Sequence, residues 1–129
     1  GAAFADYDND GDWDVLVVNN NSPAVLLRND VTPARWTRIV LEGKSCNRDG
    51  IGARVQVRTG SLTQTETVRS GTSYLSDHDR RLLFALPGSE PAAAEIRWPC
   101  GAIQKLSPGV ATTTLVKEQG CLRAAGGGR

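Results

Sequence analysis

The sequence predicts an all-β protein: an antiparallel β-sandwich with an N-terminal β-hairpin. Three observations carry that expectation. Short segments of alternating apolar and polar residues recur along the chain, as in Ile51, Ala53, Val55 and Val57 against Gly52, Arg54, Gln56 and Arg58, the period of a sheet with one buried face. Turn signals separate them: Asp49-Gly50, Thr59-Gly60-Ser61, Ser70-Gly71, Pro87-Gly88, Pro99-Cys100-Gly101 and Pro108-Gly109. No window shows a helical period, and strands at this spacing suggest a sandwich.

The first element is the hairpin. Ala2-Ala3-Phe4-Ala5 and Val15-Leu16-Val17-Val18 read as two strands. Between them runs Asp6-Tyr7-Asp8-Asn9-Asp10-Gly11-Asp12-Trp13-Asp14, with five carboxylates on alternate positions. Left without a counterion, charges this close repel or shed charge by raising their pKa values. A hard dication removes the conflict, and Ca2+ suits a flexible loop of carboxylate, carbonyl and water ligands better than Mg2+, which demands tight octahedral geometry. Asp6, Asp8 and Asp10 take loop positions 1, 3 and 5, Gly11 allows the turn at position 6, Asp12 is expected to offer its backbone carbonyl, and Asp14 sits at position 9. Position 12 is Val17 rather than a bidentate Glu, so the loop is not an EF-hand. All five aspartates, Asp6, Asp8, Asp10, Asp12 and Asp14, are candidate metal ligands.

After the second strand, Asn19-Asn20-Asn21-Ser22-Pro23 is a turn cluster. It contains an N-glycosylation sequon at Asn20, relevant in a eukaryotic source. Residues 24–28 read as a third short strand closed by Asn29-Asp30, and a linker with Pro33 follows. Further strands are expected over 36–41, 51–59, 63–69, 81–86, 94–98 and 112–117. The division is residues 1–32, 33–122 and a Gly-rich tail at 123–129, whose composition predicts disorder unless something holds it.

Composition narrows the function. No apolar run is long enough to span a membrane. Gly1 opens directly into a strand-like run without initiator Met or leader, as expected of a trimmed or processed piece. The net charge of +1 conceals an asymmetry: outside residues 6–14 there are 15 basic and 9 acidic side chains, and 12 of the basic ones are Arg. They are scattered along strands rather than clustered with aromatics, which argues against nucleic acid. Three cysteines, Cys46, Cys100 and Cys121, allow any one of three bridges or buried free thiols. They lack the paired spacing of a zinc site. A loop of this kind suits millimolar calcium outside the cytosol, where a bridge would survive.

These residues carry a resemblance. Phe4-Ala5-Asp6-Tyr7-Asp8-Asn9-Asp10-Gly11-Asp12-Trp13-Asp14-Val15 with Leu26-Leu27-Arg28-Asn29 resembles one FG-GAP/VCBS repeat, the calcium-binding blade unit of integrin-like β-propellers. From about Trp36 to Glu118 the chain resembles the ASPIC/UnbV domain, through Asn47-Arg48-Asp49-Gly50-Ile51-Gly52-Ala53-Arg54-Val55, Gly71-Thr72-Ser73-Tyr74-Leu75-Ser76 and Trp98-Pro99-Cys100-Gly101. Cys100 stands where a small polar residue is expected, and Phe84-Ala85-Leu86-Pro87 departs from a Gly-containing version. The resemblance implies a single propeller-blade-like repeat ahead of the sandwich, and an extracellular, integrin-like, non-catalytic protein from a family with no well-defined ligand.

A lone blade cannot bury its own apolar face. Phe4, Val15, Val17 and Leu26 are therefore expected to pack on the sandwich, on neighbouring blades or on another copy, the last completing sheet edges in trans as a filament would. The leading expectation is a calcium-rigidified structural or adhesion module. The alternative is a calcium-dependent glycan- or matrix-binding module using Tyr74, His78, Arg80 and Arg81 near one turn. Catalysis is not expected. His78 is the single histidine, no nucleophile elbow surrounds any Ser, nothing activates Cys46 or Cys100, and pairs drawn from Glu66, Asp77, Asp79 and Glu95 are common in β proteins.

Overall fold

The computed structural model describes residues 1–31, 33–106 and 110–120. The Gly-rich tail and Cys121 lie outside the described residues. Among the described residues every regular element is a strand. β1 (Ala2–Ala5), β2 (Asp14–Val17) and β3 (Val25–Leu27) form an antiparallel sheet in that order. β4 (Trp36–Glu42) is the middle strand of a second sheet, between β7 (Leu82–Ala85) and β10 (Thr113–Lys117). The third sheet runs β6 (Leu62–Thr67), β5 (Arg54–Thr59), β8 (Ala92–Arg97), β9 (Ile103–Leu106).

The second and third sheets form the sandwich. Their core joins Ile39 and Leu41 of β4, Leu82 and Phe84 of β7 and Val116 of β10 with Val55 and Val57 of β5 and Ala94 and Ile96 of β8. Each large aliphatic or aromatic group taken from water stabilises by about 1.5–3 kcal/mol. Register keeps the buried residues on one face, with Val55 opposite Ile96 and Val57 opposite Ala94. Trp98 closes one end and donates its indole N–H to Gln104 Oε1 at 3.2 Å.

Four features depart from the expected pattern. β10 pairs parallel to β4, with Leu115 opposite Val40, so the sandwich is mixed rather than wholly antiparallel. β5 starts at Arg54, three residues later than the alternation suggests, because Gly50 and Gly52 adopt φ of 64° and 88° in a turn that Asn47 clamps through both side-chain atoms to Ile51. β8 starts at Ala92 rather than 94. β9 was not expected; it pairs with β8 across the Pro99-Cys100-Gly101 turn, where Gly101 N–H donates to Trp98 O.

Cys46 and Cys100 form a disulfide, with Cα atoms 6.0 Å apart, that ties the turn before β5 to the turn after β8. Glu118 lies beneath it: one carboxylate oxygen accepts the N–H groups of Lys44, Ser45 and Cys46 at 2.6, 2.8 and 3.1 Å.

The N-terminal sheet joins the sandwich along β1. Asp79 N–H donates to Phe4 O at 2.9 Å, and Phe4 N–H donates to His78 Nδ1 at 3.3 Å. Its other edge, β3, is exposed at every residue. Register puts Phe4, Val15 and Leu27 on one face and Ala3, Leu16 and Leu26 on the other, so both faces are apolar.

Candidate metal loop and the cleft beside it

The loop between β1 and β2 turns because Asn9 and Gly11 take left-handed backbone, φ 63° and 99°. Two of its aspartates staple it. Asp6 is buried and accepts the N–H groups of Asp10 and Gly11 at 3.0 and 3.2 Å, closing the turn over its own carboxylate. Asp14, also buried, accepts Tyr7 N–H at 2.8 Å and Asn29 N–H at 2.9 Å, fixing both ends of the hairpin and the end of β3. Asp10 Oδ1 accepts Asp12 N–H at 3.2 Å.

Carboxylate oxygens of Asp6, Asp8 and Asp10 lie within 4.8 Å of one another. That spacing suits a calcium ion, across which two oxygens stand about 5 Å apart. Asp12, expected to offer its backbone carbonyl, also has a buried side chain, 6 % exposed, and among the described residues neither carboxylate oxygen has a hydrogen-bond partner. Burial, then the charges of Asp10, Asp14, Asp8 and Asp6, push its pKa up. Asp8 is raised too, by desolvation and then by Asp10 and Asp14, with Arg28 opposing. A buried, unpartnered carboxylate is costly, and oxygen donors so placed fit a hard dication.

The sandwich grips this loop. Arg38, on the middle strand β4, pairs with Asp6 Oδ2, and its guanidinium lies 5.1 Å from the Trp36 ring centroid. The Trp36 indole packs against Gly11, where an added Cβ would stand 2.2 Å from Nε1. Arg81 donates to Asn9 Oδ1 at 3.0 Å and to Asp6 O at 3.1 Å while pairing with Asp79 at 2.5 Å.

Of the four residues expected near one turn, the structure therefore moves Arg81 to the loop. Arg80 pairs with Asp49 at 2.6 Å and Asp77 at 2.9 Å. His78 meets Phe4 edge-on, ring centroids 5.0 Å apart. Tyr74 projects into solvent, 80 % exposed. His78 and Arg80 line a cleft of about 910 Å³ with Phe4 and Trp13; Tyr74 does not. Sequence reasoning missed Arg38, Trp36 and the Asn29 amide. Only their place, Asn29 just after β3 and the other two at the start of β4, could have pointed to them.

No helix among the described residues is long and apolar enough to cross a membrane. No curated protein and no solved structure matches the chain. The family model described as ASPIC and UnbV matches residues 43–121, from the turn before β5 through β10 and so most of the sandwich, and the chain belongs to that family.

Proposed function

We propose that this chain is a non-catalytic, extracellular calcium-binding structural module. In this reading the N-terminal sheet is an FG-GAP/VCBS-like blade docked on the ASPIC/UnbV sandwich. The observation that carries the reading is the Asp12 carboxylate, buried with both oxygens unpartnered beside the converging oxygens of Asp6, Asp8 and Asp10. A bound dication would neutralise that charge. Asp6, Asp8 and Asp10, whose oxygens converge, would hold it, with Asp6 shared between the ion and Arg38 and Asp12 turning in as a further ligand, while Asp14 keeps the hairpin closed.

The same reading extends to assembly. β3 is an apolar edge strand open to solvent, and both faces of its sheet are apolar. Such edges template pairing with a further strand. A neighbouring blade or another copy of the chain would complete it, and repeated head-to-tail completion would give a filament.

The test is calorimetric titration with calcium, together with limited proteolysis and light-scattering mass with and without EDTA. Heat of binding, protection of residues 1–31 by calcium and a calcium-dependent mass are expected. No heat, with identical cleavage and mass in chelator, would remove the reading.

A further inference from the structure

The cleft beside the loop has features that a purely structural module does not need. Its volume, about 910 Å³, falls within the about 300–1,000 Å³ of ligand pockets. One wall is aromatic: Phe4 and Trp13, from β1 and the loop, remain 41 % and 38 % exposed. The facing wall is the edge strand β6 and the chain that follows it. Glu66 stands opposite Val55, whose side chain is fully buried, so Glu66 shares the inward face of its sheet, yet it is exposed because the sandwich is open here. Arg69 lies three residues on, also exposed and also lining the cleft. Among the described residues neither Glu66 nor Arg69 has an ion-pair partner.

The other charges of the cleft are already matched. Arg80 is held by Asp49 and Asp77, and Asp79 by Arg81. What remains is one carboxylate, one guanidinium and an aromatic surface, with no net field to attract a polyanion. That set suits a polyol with an apolar face. A pyranose presents C–H groups to an indole and vicinal hydroxyls to planar charged groups, which bind in bidentate fashion.

We propose that this cleft binds a neutral saccharide, with a pyranose ring against Trp13 and its hydroxyls held by Glu66 and Arg69. The site goes beyond the structural role above and does not require the loop to hold an ion. An inward charge on an edge strand can also serve only to prevent edge pairing, so the test must separate the two roles.

The full chain is screened on a glycan array in calcium-containing buffer, and hits are titrated calorimetrically against wild type, Trp13→Ala and Glu66→Gln. Calcium affinity is measured on the same samples, so loss of the metal reading and loss of this one are seen separately. Thermal melts report folding, and Glu66→Gln, near-isosteric at an exposed position, keeps the test valid should Trp13→Ala unfold. The expected result is binding of neutral hexose or hexosamine glycans, weakened about tenfold or more by Glu66→Gln. No glycan hit, hits confined to sulfated glycans, capture of extended peptides instead, or unchanged affinity in folded Glu66→Gln would each overturn the proposal.

Discussion

Arg38 of the sandwich and Asp6 of the N-terminal loop form an ion pair in which both side chains are buried, 8 % and 2 % exposed. The pair sits at the joint between the two units, and Asp6 also closes the loop through the amides of Asp10 and Gly11. One carboxylate thus links loop closure to docking. Removing one partner of a buried pair costs about 3–5 kcal/mol, because the other charge is left uncompensated. Arg38→Met is expected to lose about that much unfolding free energy in EDTA and less in calcium, where the dication supplies the missing countercharge. Urea titrations in both buffers measure this; an equal loss in each would mean that ion and guanidinium do not share Asp6.

Gly11 is the loop's point of contact with Trp36. Its φ of 99° is outside the range side-chain-bearing residues favour, and an added methyl would collide with the indole. Gly11→Ala combines a left-handed penalty of about 1–2 kcal/mol with displacement of the loop. Terbium, a luminescent stand-in for calcium, should be excited in wild type through the two indoles at the loop, Trp13 within it and Trp36 packed on Gly11. Emission should fall sharply in Gly11→Ala and persist in the surface control Thr63→Ala.

Much of this was legible in the sequence, and the gaps have physical causes. The alternation of Val55 and Val57 with Gln56 and Arg58 gave β5 its buried face, since burial on one side of a pleated strand imposes that period. The five alternating aspartates placed the loop. β9 was invisible because its four residues, Ile103, Gln104, Lys105 and Leu106, carry no alternation of their own and exist as a strand through pairing with β8. The parallel pairing of β10 is a matter of long-range topology that no local pattern encodes. Arg38 looked like one scattered arginine among 12; its meaning depends on a contact 32 residues away in sequence.

Glu118 supplies a pH dependence. The amide of Cys46, with those of Lys44 and Ser45, holds its carboxyl below the ordinary value of 4.5, outweighing the opposing effect of burial. Because the folded-state pKa is depressed, its contribution is present above that ordinary value and is lost as pH falls through the folded one. Thermal midpoints should therefore decline with acid below about 4.5, and Glu118→Gln should lower the midpoint at neutral pH while flattening the acid limb. A parallel acid limb in the variant would assign the dependence elsewhere.

The Cys46–Cys100 bridge spans 54 residues of sequence. On the chain-entropy account a loop of that length is worth about 4 kcal/mol. Reduction, or Cys46→Ala with Cys100→Ala, should lower the unfolding free energy by roughly that amount while leaving calcium affinity unchanged, since the bridge lies away from the loop. A loss of calcium binding on reduction would show the two to be coupled.

Asp12 gives the sharpest separation between a loop that holds a cation and one that merely tolerates its charge. Both oxygens of this carboxylate are buried without a partner, so in chelator the ionised side chain works against folding. Asp12→Asn removes the charge with little change of shape and should raise the thermal midpoint in EDTA. In calcium the order should reverse, because wild type gains from the ion by mass action while the variant has lost a ligand. The crossing of the two midpoints with calcium concentration is the diagnostic. A variant more stable than wild type at every calcium concentration would show that the carboxylate is a pure liability and not a ligand of the ion.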